Sequence, residues 1–177
     1  DVGLLSLGDG ALQRWREVWI PRELDYYFRV NIPQFELEVW QDGALARKHR
    51  VVVGNTKIEI DNRRRVVGPF NYSRQLRSEV NNIILNPKWR VPDRITMDEL
   101  ELELINDPAY FENHGYTIEI GADGLERVQQ ESGDKNALGR VKFNFDNPFA
   151  IYLHDTSQKQ FFERTIRSFS HGCMRVH

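Results

Sequence analysis

The stretch IYLHDT, residues 151–156, and the stretch SHGCMR, residues 170–175, decide how this chain is interpreted. The first is an apolar strand pattern that ends in a histidine, and the second is a tight turn around the chain's one cysteine. Nineteen positions separate His154 from Cys173, and the sequence from about Ser157 to Arg164 between them predicts a helix. A scaffold strand that presents a histidine to a cysteine is typical of nucleophilic catalysis.

Cys173 has the neighbours that a reactive thiol needs. A cysteine attacks as its thiolate, and because a free thiol has a pKa of about 8.5, a histidine or oriented amides must activate it near neutral pH. His154 is the candidate base. Gly172 lets the backbone turn sharply, so that the amides of Gly172 and Cys173 could stabilise an oxyanion. Arg175 could hold a substrate carboxylate in a bidentate pair.

Two other interpretations of these residues stay open. A lone cysteine is most often a small buried residue with a structural role. His154, His171, Cys173 and His177 are also residue types that bind metals, although neither a CxxC nor an HExxH pattern accompanies them. Spacing alone favours nucleophilic catalysis over a structural role, and a structural role over a metal site.

The rest of the chain is predicted to be mainly β. Asp42-Gly43 is a strong hairpin signal. Between residues 35 and 40, apolar residues alternate with Glu36, Glu38 and Trp40, which predicts a strand with one buried face. Strand patterns bounded by turn residues occur at residues 26–30, 35–40, 50–53, 82–85, 116–120, 141–145 and 149–154.

Predicted helices are few and short. Thr96 and Glu99 form a capping-box pattern ahead of an apolar run. Asp107-Pro108 predicts the start of a further helix, and Gly115 predicts its end. Together with the strand patterns, these signals indicate a mainly β domain with a small helical insertion.

Length and composition fit one domain. The chain has 177 residues, 40% of them hydrophobic, which is enough to bury a core. We interpret residues 1–20, with a helix over 11–19, as the tail of a preceding domain or a linker helix, and residues 21–177 as the domain itself. Because the chain ends at His177 inside a motif, we expect its C-terminus to be truncated.

Charge and apolar patterning exclude several classes of protein. The net charge is −2, without the basic excess of a nucleic-acid binder, and we expect no nucleic-acid partner. We interpret the Arg63-Arg64-Arg65 run as a solvated turn or strand end. One cysteine allows no disulfide within the chain, and no apolar run approaches the ~20 residues of a membrane span. A membrane link would need an N-terminal anchor outside this chain.

The sequence resembles the catalytic domain of the L,D-transpeptidases, the YkuD family. The signature of that family is a histidine followed at a similar distance by Ser/Thr-His-Gly-Cys, which His154 and Ser170-His171-Gly172-Cys173 match. The resemblance extends from about Trp15 to His177. Further segments similar to the larger periplasmic branch, the YcbB-like enzymes, are residues 30–33, 86–92 and 136–143.

The resemblance implies a fold and a set of site residues. The fold is a β-sandwich with short helices and a flexible capping insertion at about residues 93–135, for which Gly121, Gly124 and Gly133 are possible hinges. The implied nucleophile is Cys173 and the implied general base is His154. The other implied catalytic residues are His171, Gly172 and Asp155, and the implied substrate-binding residues are Tyr152, Arg175 and Ser170.

The resemblance also implies an activity. It is a peptidoglycan L,D-transpeptidase that forms 3-3 cross-links through a cysteinyl thioester on tetrapeptide stems and releases D-alanine. No cofactor or metal is implied, the location is the periplasm or cell envelope, the partners are peptidoglycan stem peptides, and carbapenems are possible inhibitors. The alternatives are a catalytically dead peptidoglycan-binding module, or the same acyl-enzyme used for hydrolysis, D-amino-acid exchange or protein attachment.

Overall fold

The computed structural model describes residues 24–58, 68 and 71–177. Within these residues, eight strands form one large curled sheet and three strands form a second, small sheet. The helix predicted over 11–19 and the Arg63-Arg64-Arg65 run lie outside the described residues. In the described part of the chain, no helix is long and apolar enough to cross a membrane.

The large sheet contains the predicted strands in a non-sequential order. Its members are β1 (Tyr26–Asn31), β2 (Glu36–Gln41), β3 (Ala44–Gly54), β4 (Val80–Leu85), β8 (Val141–Phe145), β9 (Leu153–His154), β10 (Ser168–Ser170) and β11 (Met174–Val176). The order is β1-β2-β3-β11-β9-β8-β4, and β10 pairs with β3 beside this path. The small sheet has the order β5-β7-β6, with β5 (Trp89–Arg90), β6 (Tyr116–Ile120) and β7 (Glu126–Gln130).

The helices are short, as predicted. They are α1 (Asp93–Ile95), a π-helical turn (Thr96–Leu100), α2 (Glu101–Asn106), α3 (Tyr110–His114) and a 3-10 helix (Lys159–Glu163). The helix predicted from about Ser157 to Arg164 is therefore this five-residue 3-10 helix. Gly115, with φ 70°, ends α3 as predicted.

The capping box predicted at Thr96 and Glu99 is wrong. The Thr96 amide donates to the carbonyl of Pro92 at 3.1 Å, so Thr96 lies inside a helical segment that begins at Asp93. Asp107 does support the next helix start, because its Oδ1 accepts from the amide of Ala109 at 3.0 Å. The helix itself begins at Tyr110, two residues after the predicted start.

The strand predicted over 149–154 is shorter than expected. Only Leu153 and His154 pair as a strand, because the Asn147 side chain holds the preceding residues in a loop. Its Nδ2 donates to the carbonyl of Ile151 at 2.7 Å, and its Oδ1 accepts from the amides of Phe149 and Ile151 at 3.1 and 3.0 Å. These bonds replace the ladder that a longer strand would have formed.

The large sheet curls so that its two ends enclose one core. Asp42 and Gly43, both with positive φ, form the predicted hairpin between β2 and β3. Phe28 of β1, at one end of the strand order, contacts Phe143 of β8, next to the other end, with ring centroids 6.1 Å apart. The buried core residues are Leu37, Val39, Val51, Val53, Ile151, Leu153 and Met174. The mainly β sandwich predicted from the sequence is confirmed.

One polar position of β2 is buried, contrary to the simple alternation predicted for that strand. Leu37 and Val39 enter the core as expected, yet Glu38 between them is only 7% exposed. Its carboxylate pairs with Arg29 Nη2 at 2.5 Å and accepts from Trp40 Nε1 at 2.9 Å. A buried carboxylate is tolerated here because both partners satisfy it.

The insertion between β5 and β7 is a small α/β unit with its own core, in which the helices predicted near residues 93–115 are followed by the predicted strand at 116–120. Val91, Leu100 and Val128 are buried together within it. Gly121 and Gly124 lie at the tip of the β6–β7 hairpin, where the Gly124 amide donates to the Gly121 carbonyl at 2.9 Å. They are therefore turn residues of this hairpin, and the hinge role suggested for them stays a prediction. The chain enters and leaves the unit at neighbouring positions, where Trp89 of β5 pairs with Gln130 of β7.

Replacing Glu38 with alanine should destabilise the domain by about 1–3 kcal/mol, because Arg29 and the Trp40 indole would lose a buried acceptor. Denaturant unfolding measures this change. Glu36→Ala is the matched control, since the pair of Glu36 with Lys48 is solvent-exposed and should contribute little to stability. Equal losses in the two variants would contradict a structural role for the buried pair.

Candidate active site

The short strand β9 sets out the site, because it pairs with a different strand on each side. Its His154 lies opposite Lys142 of β8 and opposite Arg175 of β11. The β11 pairing continues one step beyond the strand ends, where the Met174 amide donates to the Tyr152 carbonyl at 3.1 Å. Because side chains alternate along a strand, Tyr152 and His154 share a face with Cys173 and Arg175. The structure thus brings the predicted base and nucleophile to one face of neighbouring strands.

The opposite face of the same strands anchors the site. Phe143 of β8, Leu153 of β9 and Met174 of β11 are paired neighbours that belong to the core. The residues that flank each of them in sequence are therefore held at fixed positions on the other face. A shift of register by one residue would move the site residues into the core.

His154 is buried, at 5% exposure, and its tautomer is defined by one hydrogen bond. Its Nδ1 lies 2.5 Å from the backbone carbonyl of Asp155, so Nδ1 carries the donated proton and Nε2 is left as the basic nitrogen. Burial, and then the positive charge of Arg175, lower the pKa of His154 to about 3. The imidazole is therefore neutral near neutral pH and ready to accept a proton.

Asp155 contributes its backbone rather than its carboxylate to the histidine. The carboxylate instead accepts from the Arg140 amide at 2.9 Å and pairs with Lys159. A Cβ at Gly139 would lie 2.4 Å from this carboxylate, so only glycine allows the close approach. The Asp155 side chain thus fastens the end of β9 to the turn before β8.

Cys173 is half-buried and surrounded by polar groups of Tyr152. Its Sγ lies 3.8 Å from the Ala150 carbonyl, within reach of a weak S–H donor. Burial raises the pKa of the thiol, while the amide and hydroxyl of Tyr152 and the charges of Lys142 and Arg175 lower it; the net shift is upward. The resting form of Cys173 is therefore the neutral thiol.

The turn that carries Cys173 is held by two serines. Ser170 is 2% exposed, and its Oγ donates to the Cys173 carbonyl at 2.5 Å and accepts from the Gly172 amide at 3.3 Å. Gly172 has φ 115°, which favours glycine. Its carbonyl accepts from Ser73 Oγ at 2.7 Å, and the same Oγ accepts from the Gly54 amide at 2.9 Å. Ser73 could not be predicted as a site residue, since a loop serine carries no signal of such a contact.

These bonds alter two expectations about the motif. The Gly172 amide donates to Ser170 Oγ at 3.3 Å, which does not favour the oxyanion role suggested for this amide, and that role stays a prediction. The amide and hydroxyl of Tyr152 are further polar groups near Sγ. Ser170 lies beneath the turn, and the prediction that it binds substrate stays a prediction that its hydrogen bonding does not favour.

His171 faces the insertion rather than the thiol. Its Nε2 lies 2.6 Å from Oε1 of Glu99, on the π-helical turn. The hydrogen bond from His171, and then the charge of Arg175, lower the pKa of Glu99. The insertion also reaches Tyr152, whose hydroxyl hydrogen-bonds to Trp89 of β5. Trp89 and Glu99 could not be predicted as site residues, because each lies far along the sequence from the residue that it contacts.

Part of the Arg175 guanidinium is available to bind an incoming group. Nη1 donates to Gln158 Oε1 at 2.7 Å, and the guanidinium carbon lies 5.8 Å from the Phe161 ring centroid. Nε is buried and has no hydrogen-bond partner among the described residues. A buried donor of this kind gains most from an acceptor that arrives with a ligand.

The four residues of the metal-binding alternative do not form one metal site in the part of the chain that the structure describes. Among the described residues, no group of three or more His, Cys, Asp and Glu side chains could hold a metal ion. His177 packs its ring 5.0 Å from that of Phe162, and its carbonyl hydrogen-bonds to His49 Nδ1 at 2.8 Å.

Comparison with known proteins agrees with this geometry. The sequence profile of the L,D-transpeptidase catalytic domain, YkuD, matches residues 25–177. The chain belongs to this family. A Haemophilus influenzae protein provisionally named as an L,D-transpeptidase is 36% identical over 163 residues. The match covers 83% of this chain and 30% of that protein, so this L,D-transpeptidase domain spans about a third of its relative.

In this L,D-transpeptidase domain, the rate at which iodoacetamide alkylates Cys173 should rise steadily with pH. The rate should not level off at neutral or acidic pH. The thiol pKa is raised above its ordinary value, so the thiolate fraction grows only as pH approaches that pKa. His154 stays neutral down to about pH 3 and cannot stabilise a thiolate as an imidazolium. A cysteine peptide is the control. A Cys173 alkylation rate that levels off below the pKa of the peptide thiol would contradict the raised pKa of Cys173.

Proposed function

We propose that this domain is a cysteine-dependent peptidoglycan L,D-transpeptidase that forms 3-3 cross-links. One observation carries the proposal: His154, with only Nε2 free to act as a base, lies on the same face of neighbouring strands as Cys173. The reaction needs a nucleophile, a base that also acts as an acid, and a pocket polarised for an oxyanion. The face formed by Tyr152, His154, Cys173 and Arg175 provides each of them.

Acylation begins on a tetrapeptide donor stem. Sγ of Cys173 attacks the carbonyl between the L centre of the diamino acid and the terminal D-alanine, and His154 Nε2 takes the thiol proton. The C–S bond forms, the C–N bond breaks, and the same proton goes to the departing amine of D-alanine. Because its pKa is low, the imidazolium of His154 is a strong acid, which favours this second transfer.

Negative charge that develops during the attack lies close to fixed hydrogen-bond donors and cations. The amide and hydroxyl of Tyr152 lie against Sγ, and the charges of Lys142 and Arg175 act on the same sulfur. These groups stabilise a thiolate or a tetrahedral oxyanion more than they stabilise a neutral thiol. The arrangement therefore favours the transition state over the resting state.

The insertion between β5 and β7 is proposed to cap the acyl-enzyme. It contacts the site at two points, from Trp89 to Tyr152 and from Glu99 to His171. A cap held there would exclude water from the thioester and favour attack by an amine. The proposed location is the periplasm or cell envelope, where the stems occur, and a carbapenem should acylate the same thiol.

Replacing Cys173 with alanine should abolish turnover and leave the fold intact, because no other thiol exists in the chain. Mass spectrometry of the protein and products after incubation with a tetrapeptide muropeptide checks this. The unmodified chain should show a thioester adduct, D-alanine release and 3-3 dimers, and Cys173→Ala should show none of them. Ser78→Ala, on an exposed loop, is the control that should behave as the unmodified chain.

The same experiment separates the alternatives. Failure of the unmodified chain to form an adduct with either the muropeptide or a carbapenem would favour a dead binding module. An adduct that yields only tripeptide, exchanged D-amino acid or a protein conjugate would replace cross-linking with that reaction.

Glu99→Gln should loosen the cap, since the amide keeps the shape of the carboxylate and loses its charge. Both side chains of the Glu99–His171 pair are partly exposed, so we expect a loss of about 1 kcal/mol or less and a two- to five-fold rise in the hydrolysis-to-transfer ratio. Faster hydrogen exchange over residues 96–106 should accompany it. Glu101→Gln, on the same helical segment, is the control, and identical behaviour of the two variants would contradict the role of Glu99.

A further inference from the structure

The proposed cap contacts the site through Trp89 and Glu99. Beside the site lies a cleft of about 370 Å³, here called the β8 cleft, whose lining includes neither of these two residues. Its central lining residues are Asn82, Lys142, Asn144, Asn147, Ala150 and Tyr152. A transpeptidase that joins two stems needs a second approach to its thioester, and this cleft offers one.

The β8 cleft leads to the thiol. The carbonyl of Ala150, at its inner end, lies 3.8 Å from Sγ of Cys173. Lys142 places its Nζ 3.9 Å from the ring centroid of Tyr152, the residue whose hydroxyl hydrogen-bonds to the thiol. Strand pairing sets Lys142 directly beside His154, the candidate base. A small group bound at Lys142 would therefore have its neighbouring atoms close to both Sγ and His154.

The lining of the β8 cleft is mostly polar and includes a single cation, Lys142. Asn144 Nδ2 donates to Asn82 Oδ1 at 3.0 Å, which leaves further amide groups to bind a peptide. The one carboxylate of the lining, Asp146, accepts from Asn81 Nδ2 at 3.0 Å. The pKa of Lys142 is lowered, mainly by burial, and a thiolate at Cys173 would oppose that shift. A partly buried cation among amides suits a carboxylate on a peptide ligand.

We propose that the β8 cleft is the acceptor subsite and that Lys142 binds the carboxylate adjacent to the attacking amine. This inference rests on the proposed transpeptidase function. An amine with a carboxylate on the same carbon is an α-amino acid centre, as at the free end of a diamino acid side chain. Lys142 would hold that carboxylate, while the amine one carbon away faces the thioester.

The position of Lys142 also suits the chemistry of the attack. Only a neutral amine is nucleophilic, and a second ammonium close to Lys142 and Arg175 is electrostatically disfavoured. The amine nitrogen bonds to the thioester carbon as the C–S bond breaks, and the electron pair of that bond returns to Sγ. The amine proton passes to His154 Nε2 and from there to the thiolate, which restores the resting thiol and imidazole.

The test is a competition between acceptors for one acyl-enzyme. The chain is acylated with a tetrapeptide muropeptide, and D-methionine or D-methioninamide is supplied as the acceptor, with or without the carboxylate. Transfer is measured relative to hydrolysis, so that any effect of a variant on acylation cancels. The unmodified chain should prefer D-methionine by about ten-fold or more, as expected for a charge-assisted contact.

Variants of Lys142 assign that preference to one residue. Lys142→Met should reduce it to less than two-fold, Lys142→Arg should keep most of it, and Lys48→Met, an exposed lysine of β3, should not change it. Equal use of the two acceptors by the unmodified chain, or a preference retained in Lys142→Met, would overturn the inference. Absence of any thioester in the unmodified chain would instead overturn the proposed function on which it rests.

Discussion

The register of β9 is the constraint on which the site depends. This strand has only two paired residues, yet it is antiparallel to β8 on one side and parallel to β11 on the other. Leu153 enters the core, and His154 consequently projects between Lys142 and Arg175. Buried hydrophobic packing on one face therefore determines the electrostatics of the other face, and Ser73 and Ser170 hold the cysteine turn in step with it.

A neutral base beside a neutral thiol is the consequence of that placement. Two cations flank His154, and burial adds to their effect, so a stable imidazolium at rest is disfavoured. Under the proposed function, the pair would ionise only as the thiol attacks, when substrate atoms share the charge. The arrangement resembles an acid–base relay more than a preformed ion pair, and it keeps the thiol unreactive towards incidental electrophiles.

Sequence patterns predicted the features that depend on local chemistry. Alternation identified most strands, and Asp42-Gly43 identified a hairpin. The spacing of the motif paired Cys173 with His154, which lie on one face of neighbouring strands, and their catalytic roles stay predictions. The predictions that failed depend on contacts or context that a local pattern does not carry. The Asn147 side chain shortens a strand by binding the Ile151 carbonyl, and Glu38 is buried because Arg29 on the neighbouring strand pairs with it. The first half of β3 is polar, so its full length of 11 residues gave no alternating pattern. Lys142 lies in a recognised segment, but only strand pairing shows that it neighbours the site.

The way the insertion is connected to the rest of the chain bears on how this enzyme family can diversify. The segments that enter and leave the insertion lie side by side at the pair Trp89–Gln130. The buried Asn136 ties them together by donating to the carbonyls of Pro87 and Glu131. A unit whose two ends already meet can lengthen, shrink or be exchanged without stretching the sheet that supports the chemistry. The insertion is thus a place where insertions and deletions can change the surroundings of the site while strands β8, β9 and β11 keep their pairing.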